Sequence, residues 1–392
     1  MNRIKVLLIL VVVTLVTNCA MKKNTASQIS KPTDSAFSLP EEVYIQHPKS
    51  ERKNYFPETS AEAKWVDSVY NQLTFEEKVG QLFMVAAYSN KDEAHCLEIE
   101  KLIQESKVGG LIFFQGGPNR QAKLTNRYQA KSKVPLFIGI DAEWGLSMRL
   151  DSTYRYPWNM TLGAVQDMKL IEKTGNQMAK QSKRMGIHFN FAPVVDINTN
   201  PKNPIIGNRS FGETKENVTL RALALMKGLQ DEGVYATAKH FPGHGDTSTD
   251  SHHTLPTVQF DKNRLDDVEL YPYKELIKNG LTSVMVAHLN VPSIEPRENY
   301  PTSISYNVVT NILKNELQFN GLIFTDALNM KGASNFKKPG DIDLEAFLAG
   351  NDILLFAENV PVAIKKFNEA KEDGRLTEER LANSVKKILA YK

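Results

Sequence analysis

The sequence has little cysteine, almost no net charge and no apolar run of membrane-spanning length. Two cysteines among 392 residues exclude a small scaffold held together by disulfides. A formal charge of +3, from 48 basic and 45 acidic side chains, gives no electrostatic argument for nucleic-acid binding. Because 41% of the residues are apolar and 24% are charged, the chain is neither disordered nor collagen-like, and it is long enough for a full core.

Residues 1–19 have the pattern of an export signal. Arg3 and Lys5 precede an apolar run and Cys19 follows it, an order typical of a secretory signal peptide. The residues before Cys19 resemble a bacterial lipobox, so we expect a signal peptide with a lipobox cysteine and a lipid on Cys19. The protein would then lie in the cell envelope, lipid-anchored and facing the periplasm or the outer membrane, and Cys96 would have no disulfide partner. An ordinary signal peptide with an incidental cysteine is the alternative.

The segment after the signal has the composition of a linker. Residues 20–57 are polar and rich in Lys, Ser and Pro, without a sustained apolar period, which predicts a tether. A helix is predicted over 61–73 behind a Ser60 cap, and Thr74 with Glu77 has the spacing of a capping box at a second helix.

Eight short apolar runs follow, separated by longer segments with helical spacing. Continuous hydrophobicity is expected of parallel strands that are covered on both faces. Eight strand–helix units predict an α/β fold, a (β/α)₈ TIM-type barrel, with residues 58–392 forming a single catalytic domain; a doubly wound open sheet is the alternative. The predicted strands are Leu82–Ala87, Gly110–Phe114, Pro135–Ile140, Phe189–Val195, Tyr235–Ala238, Ser283–Ala287, Gly321–Phe324 and Ile353–Phe356.

Polar or charged residues stand at the ends of these predicted strands. The C-terminal strand ends of a barrel form the rim at which barrel enzymes act, and a purely structural barrel needs no charges there. A rim residue paired with a neighbour is the alternative for any one of them. The residues are Gln115, Asp141, Glu143, Asp196, Lys239, His240, His288, Asp326 and Glu358.

The segment 239–256 holds four of the eight histidines together with Asp246 and Asp250. Its spacing matches neither a His-x-x-x-His helix nor a zinc ribbon, so we expect no metal and no other cofactor, although a metal-dependent hydrolase remains an alternative. Acid/base chemistry fits better, because the Asp250 carboxylate can hold one nitrogen of His252 while the other exchanges a proton. Local hydrogen bonding within a loop is the alternative.

Six segments together carry a family resemblance: 73–81, 139–143, 191–196, 208–212, 239–256 and 325–330. They closely resemble glycoside hydrolase family 3, and specifically its NagZ-type β-N-acetylglucosaminidases. The segment 239–256 is the most specific of them, since it marks the hexosaminidase branch.

The resemblance implies a retaining exo-β-N-acetylglucosaminidase that removes terminal β-linked GlcNAc from peptidoglycan fragments, chito-oligosaccharides or glycans. Asp326 would be the nucleophile, and His252, oriented by Asp250, the general acid/base. The expected partners are this carbohydrate and, through Cys19, a membrane; nucleic acid is not expected, and the protein is expected to be a monomer. The residues implied to bind the hydroxyls of the terminal sugar are Asp141, Arg149, Arg209, Lys239 and His240.

The sequence is also compatible with other functions. One is a non-catalytic carbohydrate-binding lipoprotein, and the others are a family 3 β-glucosidase and a GlcNAc phosphorylase, since a neutral base repels an incoming phosphate less than a carboxylate does.

Two departures from the family pattern concern the leaving-group side. Residues 143–146 read Glu-Trp-Gly-Leu where the family often has Glu-Gly-Gly-Arg, and Ala327 replaces a frequent acidic residue, whereas Arg149 keeps the matching spacing. Trp144 either stacks on a sugar face at the rim or fills a gap beside the barrel.

Overall fold

The computed structural model describes residues 60–392 of the chain. The signal peptide predicted over 1–19, with its lipobox Cys19, and the tether predicted over 20–57 lie outside the described residues. No helix within the described part of the chain is long and apolar enough to cross a membrane.

Eight parallel strands form the centre of the fold. Their order is β7-β6-β5-β4-β3-β2-β1-β8, and a bridge between Phe324 and Ile353 brings the two outer strands together, so that the barrel is nearly closed. This confirms the predicted α/β, TIM-type barrel against the open sheet. The strands are β1 (Phe83–Ala87), β2 (Gly110–Phe113), β3 (Phe137–Ile140), β4 (Phe189–Asn190), β5 (Tyr235–Phe241), β6 (Ser283–Val286), β7 (Leu322–Thr325) and β8 (Leu354–Leu355).

Helices connect the strands and cover the barrel. They are α1 (Ala61–Gln72), α2 (Phe75–Gly80), α3 (Glu93–Lys101), α4 (Pro118–Gln129), α5 (Asn159–Gly163), α6 (Met168–Arg184), α7 (Lys215–Asp231), α8 (Lys262–Arg264), α9 (Tyr271–Lys278), α10 (Lys331–Ser334), α11 (Asp341–Ala349), α12 (Val360–Glu372) and α13 (Glu378–Tyr391). Wider π-type turns occupy Leu102–Ser106, Leu265–Glu269 and Asn307–Glu316, and short 3₁₀ turns occupy Leu146–Met148, Gly207–Arg209 and Thr302–Ile304.

The first two helices begin as their sequence signals predict. The Ser60 hydroxyl accepts the backbone N–H of Ala63 at 3.1 Å, which caps α1. Thr74 and Glu77 exchange the two hydrogen bonds of a capping box at 3.1 and 3.3 Å, and these satisfy two backbone donors at the start of α2.

Most strands differ from the prediction by one or two residues, but β4 and β5 differ by more, and both of these differences shape the rim. β4 ends at Asn190 instead of Val195, because Pro193 has no N–H to continue a strand ladder. β5 continues to Phe241, and its pairing with β6 shifts register between Ala238 and Phe241. Successive side chains of a regular strand point to opposite faces, so this irregularity is what lets neighbouring residues at the end of β5 face the same side.

Aromatic rings fill the inside of the barrel. The ring of Phe189 lies 4.9 Å from those of Phe137 and Tyr235 and 5.1 Å from that of Phe324, measured between centroids. These rings come from β3, β4, β5 and β7. Because β7 does not pair with any of the other three strands, its ring can reach theirs only inside the barrel. The barrel is therefore a packed core beneath its rim rather than a channel.

Candidate active site

A cavity of about 580 Å³ opens at the C-terminal ends of the strands. This volume is within the range of small-molecule sites. Of the predicted catalytic and sugar-binding residues, all except Asp250 line it: Asp141, Arg149, Arg209, Lys239, His240, His252 and Asp326. Among the other strand-end residues, Glu143 also lines the cavity, whereas Gln115 and Glu358 do not contribute to it.

A buried charge cluster forms the floor of the cavity. The Lys239 ammonium lies 2.8 Å from an Asp141 oxygen and 2.9 Å from a Glu143 oxygen. Arg149 donates to the second Asp141 oxygen at 2.5 Å, and Arg209 donates to both Glu143 oxygens at 2.8 and 3.0 Å. Three cations thus surround two carboxylates, which leaves one positive charge uncompensated within the cluster.

The cluster remains ionised at neutral pH. Burial alone would raise the pKa of Asp141, but Lys239 and Arg149 hold that pKa well below its usual range. Burial acts on Glu143 in the same way, and Arg209 with Lys239 nevertheless lowers the pKa of Glu143 to about 2. The two carboxylates in turn raise the pKa of Lys239 against the opposite effect of its burial.

His240 is fixed between a carboxylate and a guanidinium. Its Nδ1 lies 2.6 Å from Asp196 Oδ2, and its Nε2 lies 3.1 Å from Arg209 Nη2. A guanidinium can only donate, so Nε2 accepts and the ring proton lies on Nδ1, facing Asp196. Asp196 also accepts the backbone N–H groups of His240 and His244. This buried carboxylate therefore orients both the ring and the chain at the end of β5.

Asp326 follows β7 directly and faces the cavity. Its backbone N–H donates to Val286 at 2.8 Å, and its Oδ1 accepts the N–H of Ala327 at 2.8 Å. Burial tends to raise the pKa of Asp326, but the hydrogen bond from Ala327 and the positive charge of Lys239 lower it below its ordinary value. The carboxylate is therefore ionised and available as a nucleophile.

His288 supports the segment that carries Asp326. It is fully buried, and burial lowers its pKa, so the ring is neutral. Its Nε2 donates to the Ala327 carbonyl at 3.0 Å, while Nδ1 faces the Ser303 hydroxyl at 2.7 Å. The ring thus links the ends of β6 and β7.

Asp250 and His252 are in direct contact at the rim. One Asp250 oxygen accepts the His252 backbone N–H at 2.8 Å and lies 2.7 Å from Nδ1 of the same residue. Burial would raise the pKa of Asp250, but these two hydrogen bonds lower it. The His252 side chain is 58% exposed and borders the cavity, with Nδ1 engaged and Nε2 left to face a substrate.

Ser251, between the two members of this pair, anchors the loop. It is buried, and its hydroxyl lies 3.1 Å from His244 Nε2, while Thr247 lies 2.7 Å from His244 Nδ1. Burial lowers the pKa of His244 to about 4, so this ring is a neutral support. On the other side, the Gly332 N–H donates to the Ser251 carbonyl at 3.1 Å, and a Cβ at Gly332 would lie 3.0 Å from that oxygen.

Trp144 borders the cavity and packs on a second tryptophan. Its ring centroid lies 4.2 Å from that of Trp158. The ring therefore has one side packed against Trp158 and also borders the cavity, and the choice between the two alternatives drawn from the sequence stays a prediction.

Sequence reasoning gave no role to several residues that shape the site. Glu143, Asp196 and His288 stood out only as strand-end residues, and His244 only as part of the histidine-rich segment. Nothing local in the sequence shows that Asp196 and His288 lie beneath the cavity, or that His244, which lines it, supports Ser251. Within residues 60–392, no three His, Cys, Asp or Glu side chains form a group that could hold a metal ion.

Comparison with known proteins identifies related chains. A profile described as "Glycosyl hydrolase family 3 N terminal domain" matches residues 74–391. The "Beta-hexosaminidase A" of Pseudoalteromonas piscicida is 34% identical over 369 residues, which cover 82% of this chain and 61% of that protein.

Two solved structures have the same architecture. A glycoside hydrolase family 3 β-N-acetylglucosaminidase from Paenibacillus sp. str. FPU-7 is 40% identical with a TM-score of 0.76, covering 82% of this chain and 62% of that one. A β-glucoside phosphorylase is 28% identical with a TM-score of 0.80, covering 84% of this chain and 60% of that one. This chain therefore spans about six tenths of the length of these relatives.

We expect Glu143→Gln to reduce the acid sensitivity of the fold. The pKa of Glu143 is about 2 in the folded protein against an ordinary value of 4.5, so the stabilisation that this carboxylate gives the fold is complete above pH 4.5 and is lost as the pH falls toward 2. The variant should be less stable than the wild type at neutral pH, because Lys239 and Arg209 lose a partner, and the difference should shrink on acidification. Urea unfolding across this pH range measures it.

Glu98→Gln is the matched control, since Glu98 is exposed on α3 and its replacement should change stability little. A difference between wild type and Glu143→Gln that stays constant as the pH falls would contradict the assignment.

Proposed function

The chain belongs to glycosyl hydrolase family 3, and we propose that it is a retaining exo-β-N-acetylglucosaminidase that removes terminal β-linked GlcNAc. The observation that carries the proposal is that the Asp326 carboxylate and the exposed imidazole of the Asp250–His252 pair border one cavity. The choice of sugar is supported by the Pseudoalteromonas relative, named a β-hexosaminidase, and by the Paenibacillus relative, named a β-N-acetylglucosaminidase. Peptidoglycan fragments, chito-oligosaccharides and glycans would all offer such a terminal residue.

The charge cluster would bind the hydroxyls of the terminal sugar. Asp141 and Glu143 offer acceptors, whereas Lys239, Arg149 and Arg209 offer donors, and mutual pairing keeps all of them in place before substrate arrives. Groups oriented in advance lose little freedom on binding, which favours a defined sugar orientation over the nucleophile.

In the first step Asp326 would attack the anomeric carbon while the bond to the leaving oxygen breaks. His252 would transfer the proton on Nε2 to that oxygen, so that the aglycone departs as a neutral alcohol. The excess positive charge of the cluster stabilises the ionised Asp326 before attack, and the product is a covalent glycosyl ester.

In the second step His252 would remove a proton from an incoming water. The resulting hydroxide attacks the anomeric carbon, the ester bond to Asp326 breaks, and two inversions give the retained β-anomer. Asp250 stabilises the imidazolium through its contact with Nδ1.

A second candidate is phosphorolysis at the same site. The acid/base in contact with Asp250 is an imidazole, which in its neutral form does not repel a phosphate anion, and one structural neighbour is a β-glucoside phosphorylase. Product analysis in phosphate buffer separates the two reactions, because phosphorolysis yields GlcNAc 1-phosphate and hydrolysis yields free GlcNAc.

Asp326→Asn should abolish release of the aglycone from an aryl β-GlcNAc. An amide cannot form the glycosyl ester, so we expect kcat to fall by roughly a thousandfold or more with the fold unchanged. The control is Asp231→Asn, which alters an exposed carboxylate on α7. A folded Asp326→Asn protein with the wild-type rate would exclude this nucleophile. A wild type that is inactive on aryl β-GlcNAc and aryl β-glucoside would favour the carbohydrate-binding alternative.

His252→Ala should impair poor leaving groups more than good ones. A nitrophenolate leaves without protonation, whereas a sugar alkoxide does not, so the loss in kcat/KM should be much larger on a GlcNAc disaccharide than on the aryl glycoside. His253→Ala is the matched control, because His253 is an exposed neighbour outside the cavity lining. Equal losses on both substrates would count against His252 as the acid.

We also propose that a lipid on Cys19 anchors the protein in the cell envelope. The support is the order of basic residues, apolar run and cysteine at the start of the sequence. A clickable fatty acid should label the full chain in the membrane fraction, and Cys19→Ser should lose both the label and the membrane association. Cys96→Ser should keep both, because Cys96 is buried. Label retained in Cys19→Ser would refute the anchor.

A further inference from the structure

Trp144 stands on the cavity side of a tryptophan pair. It follows Glu143 of the charge cluster by one residue, is partly exposed and lines the cavity. Its ring centroid lies 4.2 Å from that of Trp158, at an interplanar angle of 55°. The Arg155 guanidinium lies 4.8 Å from the centroid of the Trp158 ring. We call Trp144 and Trp158 the aromatic platform.

The backbone around the platform is well supported. The Trp144 carbonyl accepts the Tyr156 N–H at 3.1 Å. Gly145 has a φ of +88°, and a Cβ there would lie 2.5 Å from the Tyr156 ring, so only glycine permits this turn. The Tyr156 hydroxyl accepts a bond from Gln181 on α6 at 3.2 Å. These contacts hold the backbone from which the Trp144 side chain projects.

The platform is also connected to the sugar-binding charges. Asn159, the residue after Trp158, donates through its side chain to the Arg209 carbonyl at 2.7 Å. Arg209 in turn binds Glu143, the residue before Trp144. Trp144 therefore adjoins Glu143 of the charge cluster in sequence, and Trp158 is connected to Arg209 of the cluster through Asn159, so Trp144 belongs to the wall of the same site.

This position has a chemical consequence for a sugar ligand. Charged side chains bind the hydroxyl groups at the edge of a pyranose ring, but they do not cover its apolar C–H face. An indole ring offers a flat apolar surface with a negative face that attracts those C–H groups. A ring that only filled a gap would be fully enclosed, whereas Trp144 is partly exposed and lines the cavity.

We propose that Trp144, backed by Trp158, is the surface on which a pyranose ring of the substrate stacks. The inference rests on the proposed function and refines it by naming a determinant of substrate binding. The stacked ring is either the terminal GlcNAc or the leaving sugar. Kinetics on substrates with and without a leaving sugar distinguish the two.

Fluorescence tests the contact without turnover. The chain has three tryptophans, Trp65, Trp144 and Trp158. We expect a GlcNAc disaccharide to change the emission of the full-length Asp326→Asn protein, and this change to be lost or strongly reduced when Trp144→Phe is added. Adding Trp65→Phe instead should leave it intact, because Trp65 lies on α1 and does not line the cavity. An emission change that is insensitive to Trp144→Phe would overturn the proposal.

Kinetics then identify the sugar. In the otherwise wild-type protein, Trp144→Leu should lower kcat/KM by about tenfold through loss of the stacked surface, whereas Trp144→Phe should retain most of it. A loss on both GlcNAc β-fluoride, whose leaving group has no ring to stack, and the disaccharide assigns the platform to the terminal sugar. A loss on the disaccharide alone assigns it to the leaving sugar.

The proposal and the function can fail separately. A wild type that cleaves both substrates, beside a Trp144→Leu protein with unchanged kcat/KM on both, would refute stacking while the function stands. A wild type that cleaves neither would refute the function, and the fluorescence titration would still decide whether the platform binds a sugar. Should Trp144→Leu fail to fold by circular dichroism, the fluorescence result for Trp144→Phe alone decides.

Discussion

The position of the Lys239 ammonium is the constraint on which the rest of the site depends. It is buried between the carboxylates of Asp141 and Glu143, each of which has an arginine as a second partner. Removal of Lys239 would leave two carboxylates with one cation each, and breaking a buried ion pair costs about 3–5 kcal/mol. The buried charge cluster is therefore stable only when all of its ion pairs are present. Its single excess positive charge lies within the cavity that Asp326 also borders, so the cluster that would bind the sugar also stabilises the ionised nucleophile.

The backbone of β5 makes this cluster possible. Lys239 and His240 are consecutive, yet both line the cavity, and a regular strand would direct them to opposite faces. The register shift between Ala238 and Phe241 removes that alternation. Asp196 stabilises the shifted conformation, because it accepts both the backbone N–H and the Nδ1 proton of His240. The carboxylate beneath the site is thus required for the direction of the side chains above it.

The sequence predicts the barrel well because its signals are local. Continuous apolar runs and the Thr74–Glu77 capping box depend only on nearby residues, and a barrel topology alone brings strand-end residues such as Asp141 and Asp326 to one rim. The register shift in β5 and the Trp144–Trp158 contact depend on packing between segments that no local pattern records. The short β4 is only partly predictable from the sequence. Pro193 is visible there, but its missing N–H shortens the strand only where a neighbouring strand would have accepted that hydrogen bond.

The proposed nucleophile, Asp326, and the proposed acid/base, His252, are positioned by different contacts. The difference follows from the proposed role of each residue. Asp326 is set by the barrel, since β6 receives its backbone N–H and His288 fixes the carbonyl of Ala327. His252 must meet the departing aglycone and the incoming water, so its side chain has to remain exposed, and a buried scaffold cannot surround it. Its position is instead fixed through Ser251. The Ser251 hydroxyl contacts His244, which follows β5, and the Ser251 carbonyl accepts the N–H of Gly332 on α10, which follows β7. The exposed Asp250–His252 pair can therefore keep a defined position at the cavity that Asp326 also borders, because Ser251 between them is buried.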